Sequence, residues 1–126
     1  MCEGGNMIFE IGDYLSLREA IESVNNVLAK HGVPDERVFD ARLVVSELVG
    51  NVLRHAKTTA TLGVEIGGEF LEIHVRSALP FFPPSVSQKA ELFAESGRGL
   101  FLVDSVSEER IPTKEGGTLV RIRIHR

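Results

Sequence analysis

Hydrophobic positions recur along this chain with two periods, and the switches between them mark the elements. Leu17, Ala20/Ile21, Val24 and Val27/Leu28 fall on one face of a helix that stops at His31-Gly32. Ser16-Leu-Arg-Glu19, ahead of that stripe, has the spacing of a capping box. Ala41, Val45, Leu48 and Val52 repeat the helical spacing. This second helix starts at Pro34-Asp35-Glu36, where proline and acids suit the first turn and its dipole, and it ends near Ala56-Lys57. Elsewhere the period is two. Met7 to Ile11, Thr59 to Ile66, Phe70 to Ser77 and Thr118 to His125 are predicted strands, with Gly67-Gly68 as a tight hairpin between the middle two. Leu71, Ile73 and Val75 point to a dry face; Glu72, His74 and Arg76 point to a wet one, with His74 expected to be an ordinary exposed residue.

Between Ala78 and Ser96 the regularity stops. Pro80, Pro83 and Pro84 prevent a continuing strand, and Phe81-Phe82 leaves an apolar patch among them. Gln88 to Ala94 has room for one or two helical turns. A short helix follows Ser96-Gly97-Arg98-Gly99, with Leu100, Val103 and Val106 on one face. Ser107 to Ile111 is a predicted strand and Lys114 to Gly117 a turn. In the last strand Val120, Ile122 and Ile124 face inward. The order β-α-α-β-β-(loop)-α-β-β implies an α+β two-layer sandwich: a mostly antiparallel mixed sheet with helices on one face. Residues 1–6 are expected to be disordered and 7–126 to form one domain.

The second helix carries a polar stripe beside its apolar one. Glu47, Asn51 and Arg54/His55 lie one turn apart in succession, at the rim of the packed layer. Most such stripes are simply solvated faces. Here Asn51 is unfavourable in a helix interior, and Gly50 before it costs about 1 kcal/mol relative to Ala. Keeping both in mid-helix suggests room for something close to the backbone.

Glu-Leu-Val-Gly-Asn-Val-Leu-Arg-His-Ala, from Glu47 to Ala56, resembles the N-box E-x-x-x-N-x-x-x-[HK]-A of the GHKL (Bergerat-fold) ATPases, which share the histidine kinase-like ATPase fold. From about Ile8 to Ile124 the chain resembles their small anti-sigma factor serine/threonine kinases. The resemblance implies that Glu47 is catalytic, polarising the nucleophile, and that Asn51 ligates Mg²⁺. It puts Arg54 and His55 near the phosphates of ATP. Gly97-Arg98-Gly99-Leu100 looks like the second glycine box, where glycines and a helix N-terminus cradle phosphate. Thr118, in Gly116-Gly117-Thr118-Leu119-Val120, corresponds to a threonine near the adenine. The implied cofactor is Mg²⁺, with ATP as substrate and retained ADP compatible with the site. The implied partners are a sigma factor and an anti-sigma factor antagonist protein, with homodimer contacts through the first strand and helix.

One departure stands out. The first glycine box should read V-x-D-x-G, but this chain has Val75-Arg76-Ser77-Ala78-Leu79. Ser77 thus replaces the carboxylate that accepts from the adenine amino group. Losing such an acceptor costs about 1.5–3 kcal/mol, roughly ten- to a hundredfold in affinity. Three readings follow: a MgATP-dependent protein kinase, a nucleotide-site-degenerate GHKL-fold binding module in a bacterial regulatory switch, or an unrelated two-layer domain.

The totals narrow the setting. A net charge of −4 and a pI near 5.6 give direct nucleic-acid binding no electrostatic help. The lone cysteine, Cys2, excludes an internal disulfide and a cysteine metal cluster. No apolar run approaches the ~18 residues of a membrane span, and no signal-peptide core follows Met1. A reduced, cytoplasmic compartment without membrane contact is the expectation.

Overall fold

A computed structural model describes residues 5–78, 100–113 and 117–125. Five strands form one sheet: β1 (Gly5–Ile11), β2 (Ala60–Ile66), β3 (Phe70–Ser77), β4 (Glu109–Pro112) and β5 (Thr118–Arg123). Their spatial order is β1-β2-β3-β5-β4, and every pairing among the described residues is antiparallel. Two long helices, α1 (Tyr14–Lys30) and α2 (Asp35–Asn51), cover one face, α1 over β1 and α2 over β2, β3 and β5. A short helix, α3, runs over residues 100–106. The element order and the two-layer architecture agree with the sequence pattern.

The core lies between the layers. From α2 it takes the predicted stripe, Ala41, Val45, Leu48 and Val52, together with Val44 and Val49. Leu71, Ile73 and Val75 from β3 meet them, as do Val120, Ile122 and Ile124 at the chain's end. Val103 of α3 is fully buried, with Leu100 and Val106 packed against the same cluster. Burial of this kind, at roughly 25 cal/mol per Å² of apolar surface, drives the layers together.

Three expectations change. The first strand begins at Gly5, so Gly5 and Asn6 pair with Ile66 and Glu65 instead of belonging to an unstructured start. The capping box of α1 lies one turn earlier than Ser16–Glu19: Asp13 is the N-cap and Ser16 its third residue. The Asp13 carboxylate accepts the Ser16 N–H at 2.8 Å, and the Ser16 hydroxyl oxygen accepts the Asp13 N–H at 3.2 Å. A carboxylate at the positive end of the dipole outcompetes a serine there, and a hydroxyl can fill the reciprocal role usually given to Glu. His74 is half-buried, not freely exposed, and its Nε2 is buried without a partner. It stands between Gly63 and Leu119 in register, where neither neighbour offers a side-chain hydrogen bond.

The remaining boundaries among the described residues hold closely, while Lys114 to Gly116 of the last predicted turn lie outside them. α1 stops at His31, with Gly32 at φ 79 beyond it. α2 starts after Pro34, whose carbonyl accepts the N–H groups of Arg37 and Val38 at 2.9 and 3.0 Å. The predicted turn of Gln88 to Ala94 and the Pro80–Ser96 stretch lie outside the described residues.

Candidate functional site

The end of α2 is built differently from the rest of the helix. After Asn51 the backbone widens into a π-helical turn, Val52–Ala56, closed by Lys57 in the left-handed region at φ 55. The Lys57 N–H donates to the Val52 carbonyl at 2.9 Å, which satisfies one terminal acceptor of the turn. π-turns within α-helices concentrate at functional sites, because the extra residue redirects side chains that regular helix geometry would keep in line.

Arg54, in the middle of this turn, folds back along the helix. Its Nη2 donates to Asn51 Oδ1 at 2.8 Å. The guanidinium lies over Gly50, where a Cβ would stand 3.1 Å from Arg54 Nη1. Gly50 therefore gives up helix propensity so that a guanidinium can lie against the backbone. That is the close neighbour the sequence pattern anticipated, and it comes from the chain itself. The Arg54 Nε is buried without a hydrogen-bond partner, and the guanidinium pairs with no carboxylate among the described residues. A half-buried cation held by one neutral oxygen is suited to receive an anion.

Glu47 lies one turn before Asn51 on α2, also half-buried, so the carboxylate and carboxamide stripe is present as predicted. His55, in the same turn, is exposed. The turn packs against β3, the strand that ends in Ser77. Ser77 is 7% exposed, and by strand alternation it shares the helix-covered face with Val75 and Ile73. Thr118 pairs with Val75 and is half-buried on the adjacent strand. At Gly117, before it, a Cβ would fall 2.8 Å from the Val75 carbonyl oxygen and from Thr113 Oγ1, so β5 enters the sheet by close backbone contact.

The structure thus joins Asn51 to Arg54 directly and brings Ser77 and Thr118 to the helix-covered face of neighbouring strands. Leu100 packs on the core at the start of the described part of α3. Gly97, Arg98 and Gly99, and Leu79 of the altered glycine box, lie outside the described residues. What the sequence reading missed was the Arg54–Asn51 hydrogen bond. The signal was available as Gly50 and Arg54 four apart on one helical face, with Asn51 three before the arginine.

A divalent cation has little protein to hold it. No group of three or more His, Cys, Asp or Glu side chains is arranged for a metal among the described residues. Mg²⁺ bound with a nucleotide normally takes one or two protein oxygens and leaves the rest of its shell to phosphates and water. The half-buried Asn51 Oδ1, held here by the Arg54 guanidinium, is a neutral oxygen of the kind that modest demand calls for. No helix among the described residues is long and apolar enough to cross a membrane.

Comparison with known proteins agrees with this geometry. The family model of the histidine kinase-like ATPase domain matches residues 13–124. Serine-protein kinase RsbW of Staphylococcus aureus strain MSSA476 is 26% identical over 124 residues, covering 86% of this chain and 77% of the relative. RsbW of strain JH9 matches to the same extent. With the sheet and helices in the arrangement described, and a family match over almost all its length, the chain belongs to the histidine kinase-like ATPase domain family.

Proposed function

We propose that this chain is an anti-sigma-factor-type regulatory serine/threonine protein kinase, which binds MgATP, phosphorylates an anti-sigma factor antagonist and sequesters a sigma factor in the cytoplasm. One observation carries the reading: Asn51 meets Arg54, which pairs with no carboxylate among the described residues, one turn from Glu47 and beside the strand that ends in Ser77. The similarity to a serine-protein kinase supports the same reaction class.

In this reading Asn51 Oδ1 would hold Mg²⁺, which supplies charge neutralisation for the phosphates. Glu47 orients the partner's Ser or Thr hydroxyl and accepts its proton as the oxygen attacks the γ-phosphorus. The bond from that phosphorus to the β–γ bridging oxygen breaks, and ADP leaves with the electron pair. Arg54, His55 and the Gly97-Arg98-Gly99-Leu100 segment serve the phosphate end, while Ser77 and Thr118 serve the base end. A homodimer through β1 and α1 belongs to the same proposal, supported by the exposure of Ile8 at 78%, Tyr14 at 55% and Leu15 at 63%.

Calorimetry or thermal shift with ATP, with and without Mg²⁺, tests the site. A ligand at 100 times its Kd stabilises the native chain by about 2.7 kcal/mol. Glu47→Gln should bind nucleotide yet fail to phosphorylate an antagonist protein, and equal loss of both would make Glu47 structural. If Asn51→Ala binds MgATP as well as the parent, the metal role of Asn51 is wrong.

A second reading, a domain that keeps the fold only to bind partners, draws on Ser77 standing where a carboxylate belongs. It predicts no stabilisation by ATP at any Mg²⁺ concentration, together with intact binding of a sigma factor.

A further inference from the structure

We propose that Arg54 is a gate on the Asn51 oxygen: seated over Gly50, it holds Oδ1 and must leave before a divalent cation can take that oxygen. The inference rests on the MgATP reading above and concerns how the same site is controlled.

The argument is one of charge. A guanidinium donating to Oδ1 at 2.8 Å already directs a positive group at the oxygen. A divalent cation bound there at ~2.0–2.1 Å would sit beside it in a half-buried setting, where like charges repel strongly. A cation alone gives Arg54 no reason to move. A polyphosphate does, since the guanidinium fork matches phosphate oxygens and its Nε has no partner to lose. Cation and polyphosphate therefore enter together, coupled through one side chain.

Gly50 sets the strength of the gate. A Cβ there would press on Arg54 Nη1 at 3.1 Å, and the next nearest atom is Cζ of the same side chain at 4.0 Å. Only the far end of a flexible residue has to give. Alanine at this position should loosen the seat while improving helix propensity, so Gly50→Ala is expected to fold.

The test uses the full chain, with MgADP and Mg²⁺ alone as probes. Calorimetry should show Arg54→Met lowering MgADP affinity by about tenfold, because a phosphate partner is lost. Gly50→Ala should raise it by about threefold, because the seat that must be vacated is weaker. A purely structural role for the pair predicts no such opposition of signs. In ¹⁵N spectra of the parent, the Arg54 Nε–H signal should be protected from exchange, unmoved by Mg²⁺ and displaced by MgADP. Gly50→Ala should expose it without ligand.

Weaker MgADP binding by Gly50→Ala, or no change, overturns the gate. So does an Arg54 signal that stays in place while those of Ser77 and Thr118 respond to MgADP, and in that case the nucleotide site itself survives. If no resonance responds to MgADP, the kinase reading fails and takes the coupling with it.

Discussion

Arg37 and Arg54 mark the two ends of the same helical segment, and both are drawn into the protein with one nitrogen unsatisfied: Nη1 of Arg37 and Nε of Arg54. Their partners differ. Arg37, only 8% exposed, has Asp40 at 3.3 Å on its Nε and Glu36 at 3.1 Å on Nη2. Its charge is neutralised within one turn, and the cluster fixes the start of α2. Arg54 has a carboxamide oxygen and no carboxylate among the described residues. A buried cation with its own anion is architecture; a half-buried cation with only a neutral acceptor is a site waiting for charge.

Breaking the compensated end should have the largest effect. Asp40→Ala leaves the Arg37 guanidinium, about nine-tenths buried, with only the exposed Glu36 as a counter-charge, and should cost about 3 kcal/mol in chemical denaturation. Arg37→Met with Asp40→Leu, which removes both charges, should recover most of that loss. If the single variant unfolds no more easily than the parent, the pair is not what fixes the start of α2.

Under the proposed kinase reading Ser77 lies at the base end, and it offers the next test because a serine stands where the first glycine box has a carboxylate. Ser77→Asp puts a carboxylate on the helix-covered face at a position 7% exposed. Without ligand the variant should be less stable, by about 1–3 kcal/mol for a buried polar group left short of partners. With ATP it should gain about tenfold or more in affinity, and GTP should gain less, since guanine presents an oxygen where adenine presents an amino group. Loss of stability without any gain for ATP would favour the partner-binding reading.

The sequence announced one end of this helix better than the other. Alternation located β3 to the residue, because Leu71, Ile73 and Val75 have no ambiguity of face. The stripe of Ala41, Val45, Leu48 and Val52 located α2 for the same reason. Pattern rules were weaker where several side chains could do one job, so Asp13 displaced Ser16 as the cap of α1. They were weakest for contacts made by flexible side chains. Gly50 is visibly costly in mid-helix, yet only the folded chain shows that Arg54 fills the space. His74 looked like a wet-face residue because its two in-register neighbours, Gly63 and Leu119, are far away in sequence.

Asn51→Asp should erase the difference between the two arginines. Arg54 would then have a carboxylate three residues away, as Arg37 has in Asp40. The chain should gain about 0.3–1 kcal/mol of stability, in the range of a half-exposed ion pair on a helix. Nucleotide affinity should fall, because the new carboxylate both retains Arg54 and repels phosphate. A variant that binds MgADP more tightly than the parent would show that the neutral acceptor is not what keeps Arg54 available.

Asp13 supplies the smallest effect and a control for the whole comparison. Like Arg54 it is a charge held by neutral groups, but it is fully exposed, so water shares the load. Its pKa lies below the ordinary 3.8, first through the Ser16 N–H and then through the Ser16 hydroxyl. A carboxyl group with a depressed folded pKa stabilises above its unfolded value and loses that contribution as pH falls through the folded one. The cap should therefore be at full strength at neutral pH and weaken only in acid, beginning near 3.8. Asp13→Asn keeps an acceptor for the N–H groups but cannot titrate and lacks the charge that favours the dipole. Melting temperatures should then favour the parent at pH 7, with the difference closing below about pH 4. A gap that stays constant into acid would mean that the Asp13 charge contributes nothing. Neutral partners would then suffice for a charge only where the solvent reaches it, and the burial of Arg54 would be the feature that sets it apart.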